Sequence, residues 1–224
     1  MSECASGSAH RSAWERHEPP FSNRMKIKSA VFKLSAIDLN ACPSTSLPEF
    51  AFIGRSNVGK SSLINLLCER RDLAKVSATP GKTRLINFFL INDRWHLVDL
   101  PGYGFASGRR AERDEFNVAV ADYLEHRANI ARVFVLIDSR LPPQRLDRDF
   151  INWLGGCSVP FALIFTKTDK LSATQTQANI EAFKVAIAED WDDLPPMFLS
   201  SSKTKKGRGE ILAYIEETMA EAKA

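Results

Sequence analysis

Gly54-Arg55-Ser56-Asn57-Val58-Gly59-Lys60-Ser61 reads as a complete GxxxxGKS. The apolar run Phe50–Ile53 precedes it and the helical run Ser62–Cys68 follows, the context in which this spacing binds phosphate. Glycines let the backbone curl so that successive N–H groups point at phosphate oxygens. The start of the following helix adds roughly half a positive charge. Lys60 is expected to reach the β- and γ-phosphates, and the Ser61 hydroxyl to ligate Mg²⁺. The stretch from Gly54 to Ser61 therefore predicts a nucleoside triphosphate site, with Arg55, Ser56, Asn57, Val58 and Gly59 forming its wall.

Outward from this loop, apolar runs alternate with amphipathic ones. Strands are expected at Ala30–Leu34, Phe50–Ile53, Leu85–Ile91, Arg94–Val98, Val133–Ile137, Phe161–Phe165 and Met197–Leu199. Several are continuous apolar runs, as buried parallel strands require. Asn92-Asp93 marks a tight turn, so the strands on either side should form a hairpin and add one antiparallel edge strand. Helical periodicity appears in Phe116, Val120, Tyr123 and Leu124, and again in Ile180, Phe183 and Ile187. It also marks Leu146, Phe150 and Ile151, and the last helix through Ile211, Leu212, Ile215 and Met219. Ser172-Ala173-Thr174-Gln175 has the form of a capping box. The whole predicts an α/β domain over residues 25–224, with a doubly wound, mostly parallel sheet and helices on both faces. Residues 1–24 are Ser-, Ala- and Gly-rich, and a disordered extension is expected there.

Two later stretches narrow the nucleotide. Asp99-Leu100-Pro101-Gly102 ends a predicted strand; Asp99 can hold Mg²⁺ through a water, and the Gly102 N–H can sense a γ-phosphate. Thr166-Lys167-Thr168-Asp169 follows the strand Phe161–Phe165. A carboxylate at Asp169 can accept from both N1–H and the N2 amine of guanine, a pair that adenine does not offer. The Lys167 stem can lie over the base plane. Ser200-Ser201-Ser202 sits where a final loop could present an N–H to the guanine O6.

The remaining composition excludes several classes. Cys4, Cys42, Cys68 and Cys157 show no paired spacing, which speaks against zinc or a disulfide framework. No apolar run approaches the ~20 residues of a membrane span. A cytoplasmic protein without membrane attachment is the expectation. The net charge of +3 confines any nucleic-acid footprint to a local patch. Arg109, Arg110 and Arg113 form one basic cluster and Lys203, Lys205, Lys206 and Arg208 another, readable as solvated loops or as an RNA phosphate-binding face. No histidine has companions at ligand spacing, and Trp95, Trp153 and Phe161 read as packing residues.

GRSNVGKS, TPGKTR, DLPGYG, TKTD and SSS, in that order, resemble the Ras-like GTPases related to TrmE and Era, and most closely the EngB/YsxC/YihA family, over roughly residues 28–220. The resemblance implies a small, single-domain GTPase using Mg²⁺, acting in assembly of the large ribosomal subunit and associated with cell division and septation. It implies the precursor subunit or its rRNA as partner, and a monomer. Thr83 would be the switch threonine that ligates Mg²⁺, although by sequence alone Thr79 qualifies equally. Gly81, Lys82, Arg84 and Leu85 would line the nucleotide beside Thr83. The family has Gln after this threonine where this chain has Arg84; Asn is the usual residue at the position of Thr166 in guanine-reading motifs, whereas TKxD together with DLPGYG is specific to this branch. On this pattern Lys60, Thr83 and Gly102 carry the phosphoryl chemistry.

Tyr103 stands where Ras-like proteins place the glutamine that orients the attacking water. A slow intrinsic rate is expected, with help from a partner or a monovalent cation. Asn57 occupies the position of a K⁺ ligand in related potassium-stimulated GTPases, or else bonds within its own loop. The competing readings are a P-loop ATPase or kinase, and a nucleotide-gated binding protein with negligible turnover.

Overall fold

The computed structural model describes residues 25–74, 85–103 and 110–221, with backbone alone for 110–117. Its elements in chain order are β1 (Ala30–Ala36), β2 (Glu49–Gly54), α1 (Lys60–Cys68), β3 (Ile86–Ile91), β4 (Trp95–Asp99), α2 (Arg110–His126), β5 (Ile130–Asp138), α3 (Arg145–Gly156), β6 (Phe161–Thr166), α4 (Ala173–Ala188), β7 (Met197–Leu199) and α5 (Arg208–Glu221). Seven strands form one sheet in the order β1-β3-β4-β2-β5-β6-β7. The pairs β2–β4, β2–β5, β5–β6 and β6–β7 are parallel. β3 runs antiparallel to β4 through the expected hairpin. Asn92 and Asp93 both take positive φ, 50° and 53°, as a two-residue hairpin turn of this hand requires.

The antiparallel strand is not left at the edge. β1 pairs outside β3, from Ala30 opposite Ile91 to Ala36 opposite Ile86, and occupies β3's otherwise unpaired backbone groups. Asn92 secures the approach to β1: its Oδ1 accepts from the N–H groups of Lys28 (2.7 Å) and Ser29 (3.1 Å), and its Nδ2 donates to the Lys26 carbonyl.

Alternation along the central strands divides the core in two. Val133, Val135 and Ile137 of β5 face α2, α3 and α4, where Tyr123, Ile151, Leu154 and Phe183 are buried. Phe134 and Leu136 face α1 and α5, against Leu63, Ile64, Ile211 and Ile215. This period of two, with helices covering both faces, explains why the strands read as unbroken apolar runs. The capping box of α4 forms as expected, Ser172 accepting from the Gln175 N–H and Gln175 Oε1 accepting from the Ser172 N–H. Glu49 at the start of β2 is fully buried and held by the Tyr123 hydroxyl (2.8 Å) and by Arg127 (2.6 Å).

β2 leads into α1 on one face, whereas its neighbours β4 and β5 lead to α2 and α3 on the other. Such a reversal opens a crevice at the carboxyl end of the strands, where ligands bind in open α/β sheets. The loops after β2, β4, β5, β6 and β7 all emerge there.

Candidate functional site

The loop after β2 carries its shape in two left-handed residues, Asn57 (φ 62°) and Gly59 (φ 106°). Gly59 caps α1 without a side-chain bond, and no acidic residue occupies the first turn. The first-turn N–H groups and the positive helix end are thus left for an external anion. Lys60 and Ser61 open α1, and Lys60 Nζ bonds Asp99 Oδ1 at the end of β4. Both members of this pair are mostly buried, their side chains 12% and 6% exposed.

Gly102 approaches the loop so closely that a Cβ there would lie 2.6 Å from the Gly54 carbonyl oxygen. Only glycine lets the segment after β4 sit against the phosphate loop. Leu100 N–H bonds the Phe52 carbonyl (3.0 Å) and fixes the exit of that segment. Leu100 and Pro101 are buried. Tyr103 leans on α3: its hydroxyl donates to Asp147 Oδ1 at 2.8 Å, and its ring stacks on Phe150 with centroids 4.3 Å apart. Arg55 Nε reaches the same Asp147 oxygen at 3.2 Å. Burial pushes the Asp147 carboxyl up, against the lowering effects of Tyr103 and Arg55.

The loops after β6 and β7 interlock. Thr166 Oγ1 donates to the Val58 carbonyl (2.6 Å) and lies 3.2 Å from the Ile137 carbonyl, so it ties the phosphate loop to the sheet. Lys167 bonds the Asn57 carbonyl and Asp138 Oδ2 (2.8 Å), and its Cε lies 3.7 Å from where a Cβ on Gly59 would stand. The stem therefore crosses the phosphate loop, held at its tip by Asp138 at the end of β5. Burial would raise the Asp138 carboxyl, but hydrogen bonds from Arg140 and Lys167 outweigh it and bring it down to about 2.

Thr168 donates through both N–H and Oγ1 to the Ser200 carbonyl (3.2 and 3.1 Å). Asp169 lies in a one-turn 3-10 helix, Thr168–Lys170, and its Oδ1 accepts from the Ser201 hydroxyl at 2.7 Å. That bond holds its carboxyl below the usual range. Asp169 Oδ2 is buried and has no hydrogen-bond partner among the described residues. A buried acceptor is not left so without cost, and a ligand with paired N–H donors satisfies it. Of the three serines, Ser200 N–H goes to Phe165 and Ser201 N–H to Lys206. Ser202 N–H has no backbone partner among the described residues.

The expected residues Gly54 to Ser61, Leu85, Asp99 to Gly102, Thr166 to Asp169 and Ser200 to Ser202 are described; Gly81, Lys82, Thr83 and Arg84 lie outside the described residues. Arg109 also lies outside them, and only the backbone of Arg110 and Arg113 is given. In the second basic cluster Lys203, Lys205 and Lys206 are exposed, but Arg208 is not a surface charge. Its guanidinium donates to the Leu66 and Leu67 carbonyls at the end of α1 and pairs with Glu69, which suits the negative end of that helix. Sequence reasoning also missed Asp138 and Asp147. A carboxylate at the ligand end of an apolar strand could have drawn attention to Asp138; no local signal singles out Asp147.

Asp99 is a buried, hard oxygen donor whose partner is an ammonium, beside the Ser61 position and the uncompensated start of α1. That set fits Mg²⁺, which takes few protein oxygens when phosphates and water complete its shell. The doubly wound sheet, the phosphate loop at the end of β2 and a carboxylate after β6 are the arrangement of a P-loop GTPase. A family model described as 50S ribosome-binding GTPase matches residues 49–167. The probable GTP-binding protein EngB of Bacteroides thetaiotaomicron is 52% identical over 86% of this chain and 95% of its own length. That of Phocaeicola vulgatus is 50% identical over 89% of this chain and 100% of its own. A solved structure described as a probable GTP-binding protein engB shares the fold, with TM-score 0.59 and 23% identity over 77% of this chain and 99% of that one. The chain belongs to the EngB family of GTP-binding proteins.

Proposed function

We propose that this chain is a Mg²⁺-dependent GTP-hydrolysing switch in assembly of the large ribosomal subunit, needed through that role for normal cell division and septation. The Asp169 carboxylate, its Oδ1 held by Ser201 and its buried Oδ2 left without a hydrogen bond among the described residues, carries the guanine reading. Ser61, Thr83 and, through water, Asp99 would hold the metal, which supplies charge neutralisation at the phosphates. Lys60 and the loop N–H groups bind phosphate, Gly102 reports on the third phosphate, and Lys167 steadies the loop. Positioning and electrostatics account for most phosphoryl-transfer catalysis, so no covalent intermediate on the protein is required.

The ribosomal part is supported by the matched family description and by the exposed Lys203, Lys205 and Lys206 next to Ser202, which suit rRNA phosphates. A monomer in the cytoplasm is the working state. Among the described residues no helix is long and apolar enough to cross a membrane. Asn57, exposed at the crest of the loop, is proposed as a K⁺ ligand; equal turnover in K⁺ and Na⁺ at matched ionic strength would remove that role. GTP-dependent co-sedimentation with large subunits should occur for wild type and fail for Lys60→Ala. Equal association of both would sink the switch reading. A second reading, nucleotide-gated binding with negligible turnover, is favoured by one observation: the Tyr103 hydroxyl is committed to Asp147. Phosphate release over several turnovers with ribosomal subunits present separates the two.

A further inference from the structure

We propose that Asp147 is a positioning residue that joins the phosphate loop to the switch segment, so that both respond to the third phosphate as one unit. The proposal rests on the switch reading above. One oxygen of this carboxylate, on a residue only 1% exposed, takes Arg55 from the second position of the phosphate loop and Tyr103 from the residue after the switch glycine. Arg55 brings a positive charge to this buried carboxyl, and a charge-assisted bond is about twice as strong as a neutral one. Tyr103 is further held by its ring on Phe150, which in turn stacks on Trp153 at 5.7 Å and 30°. Wherever Tyr103 is anchored, the Gly102 N–H is fixed within one residue of it. The clamp therefore sets that N–H against the loop, where Gly102 already leaves no room for a Cβ.

The base-reading loops and the helix start that grips the inner phosphates lie outside the clamp. Loosening it should leave GDP binding alone and affect the third phosphate. Trp153 provides the optical reporter, because it ends the aromatic stack that begins at Tyr103.

The variants are Asp147→Asn, which keeps the shape and removes the charge, and Tyr103→Phe, which keeps the ring and removes the hydroxyl. Each is compared with wild type in GDP affinity, in affinity for a non-hydrolysable GTP analogue, in single-turnover hydrolysis, and in the tryptophan fluorescence difference between the two nucleotide states. A Trp153→Phe control assigns the signal. The expected result is GDP affinity within about twofold of wild type in both variants. Hydrolysis should fall roughly tenfold, a part of the hundredfold that a 1 Å misplacement carries, and most of the Trp153 difference should be lost. Discrimination and hydrolysis like wild type in both variants would overturn the coupling while leaving the switch reading intact. Equal weakening for GDP and the GTP analogue would also overturn it, as the mark of a merely structural residue. A wild type that treats the two nucleotides alike would overturn the coupling together with the switch reading.

Discussion

Asp169→Asn tests the guanine site in a way that structural damage cannot imitate. In the wild type Oδ1 is occupied by the Ser201 hydroxyl at 2.7 Å, and Oδ2 has no hydrogen bond among the described residues, the Lys170 ammonium standing 4.0 Å away. The Ser201 hydroxyl will hold the amide oxygen of an asparagine in the Oδ1 position. The amide nitrogen is then forced into the place of Oδ2, where it meets the N2 amine of guanine donor to donor. Hydrogen bonds to a charged group contribute about 1.5–3 kcal/mol each. Loss of the charge and of one bond should therefore cost about 3–4 kcal/mol, weakening GDP by roughly 10² to 10³-fold. Xanthine carries a carbonyl where guanine carries the amine, so the same amide becomes a fitting donor. Calorimetry with GDP, xanthosine diphosphate and ADP should show guanine binding lost, xanthine binding gained and adenine binding absent. GDP affinity within threefold of wild type, or equal loss of every purine, would refute the assignment of Asp169.

Two further outcomes follow from buried charge. Arg127→Ala leaves the fully buried Glu49 without its cation, and breaking such a pair costs about 3–5 kcal/mol; urea unfolding should show that loss with nucleotide affinity little changed, since Glu49 starts β2 at the end opposite the phosphate loop. The Asp138 carboxyl, brought down to about 2 from an ordinary 3.8, contributes about 2 kcal/mol of stability that is fully present above the ordinary value. About half of it should be gone near pH 3 and the rest as pH falls through 2, so the stability gap between wild type and Asp138→Asn, measured without nucleotide, should narrow on acidification; a constant gap would contradict the assignment.

What could be read directly from the chain was whatever is contiguous. The phosphate loop, Asp169 and Ser172-Gln175 are each legible over a few neighbouring residues, and the capping box forms as expected. The continuous apolar runs of β5 and β6 likewise announce a sheet buried on both faces. Contacts that join distant segments were not legible. Tyr103 meets Asp147 across 44 residues and Lys167 meets Asp138 across 29, and no local pattern names either partner. The position of β1 outside β3 was hidden for a related reason: its residues form a plausible strand, but nothing in them names the partner. Arg208 shows the opposite error, a residue assigned to a surface cluster by adjacency when its guanidinium is occupied by the end of α1.

The contact between Lys60 and Asp99 has a consequence for how the pocket fills. Each is the other's counter-ion, so the pair is electrically balanced. An anion arriving by itself would draw the ammonium away and strand the carboxylate, and a cation arriving by itself would do the reverse. Neither intruder leaves a balanced site, whereas the two together replace one neutral pairing with two. A single crossing of side chains between α1 and β4 thus favours a ligand that brings charges of both signs over a bare anion or a bare cation.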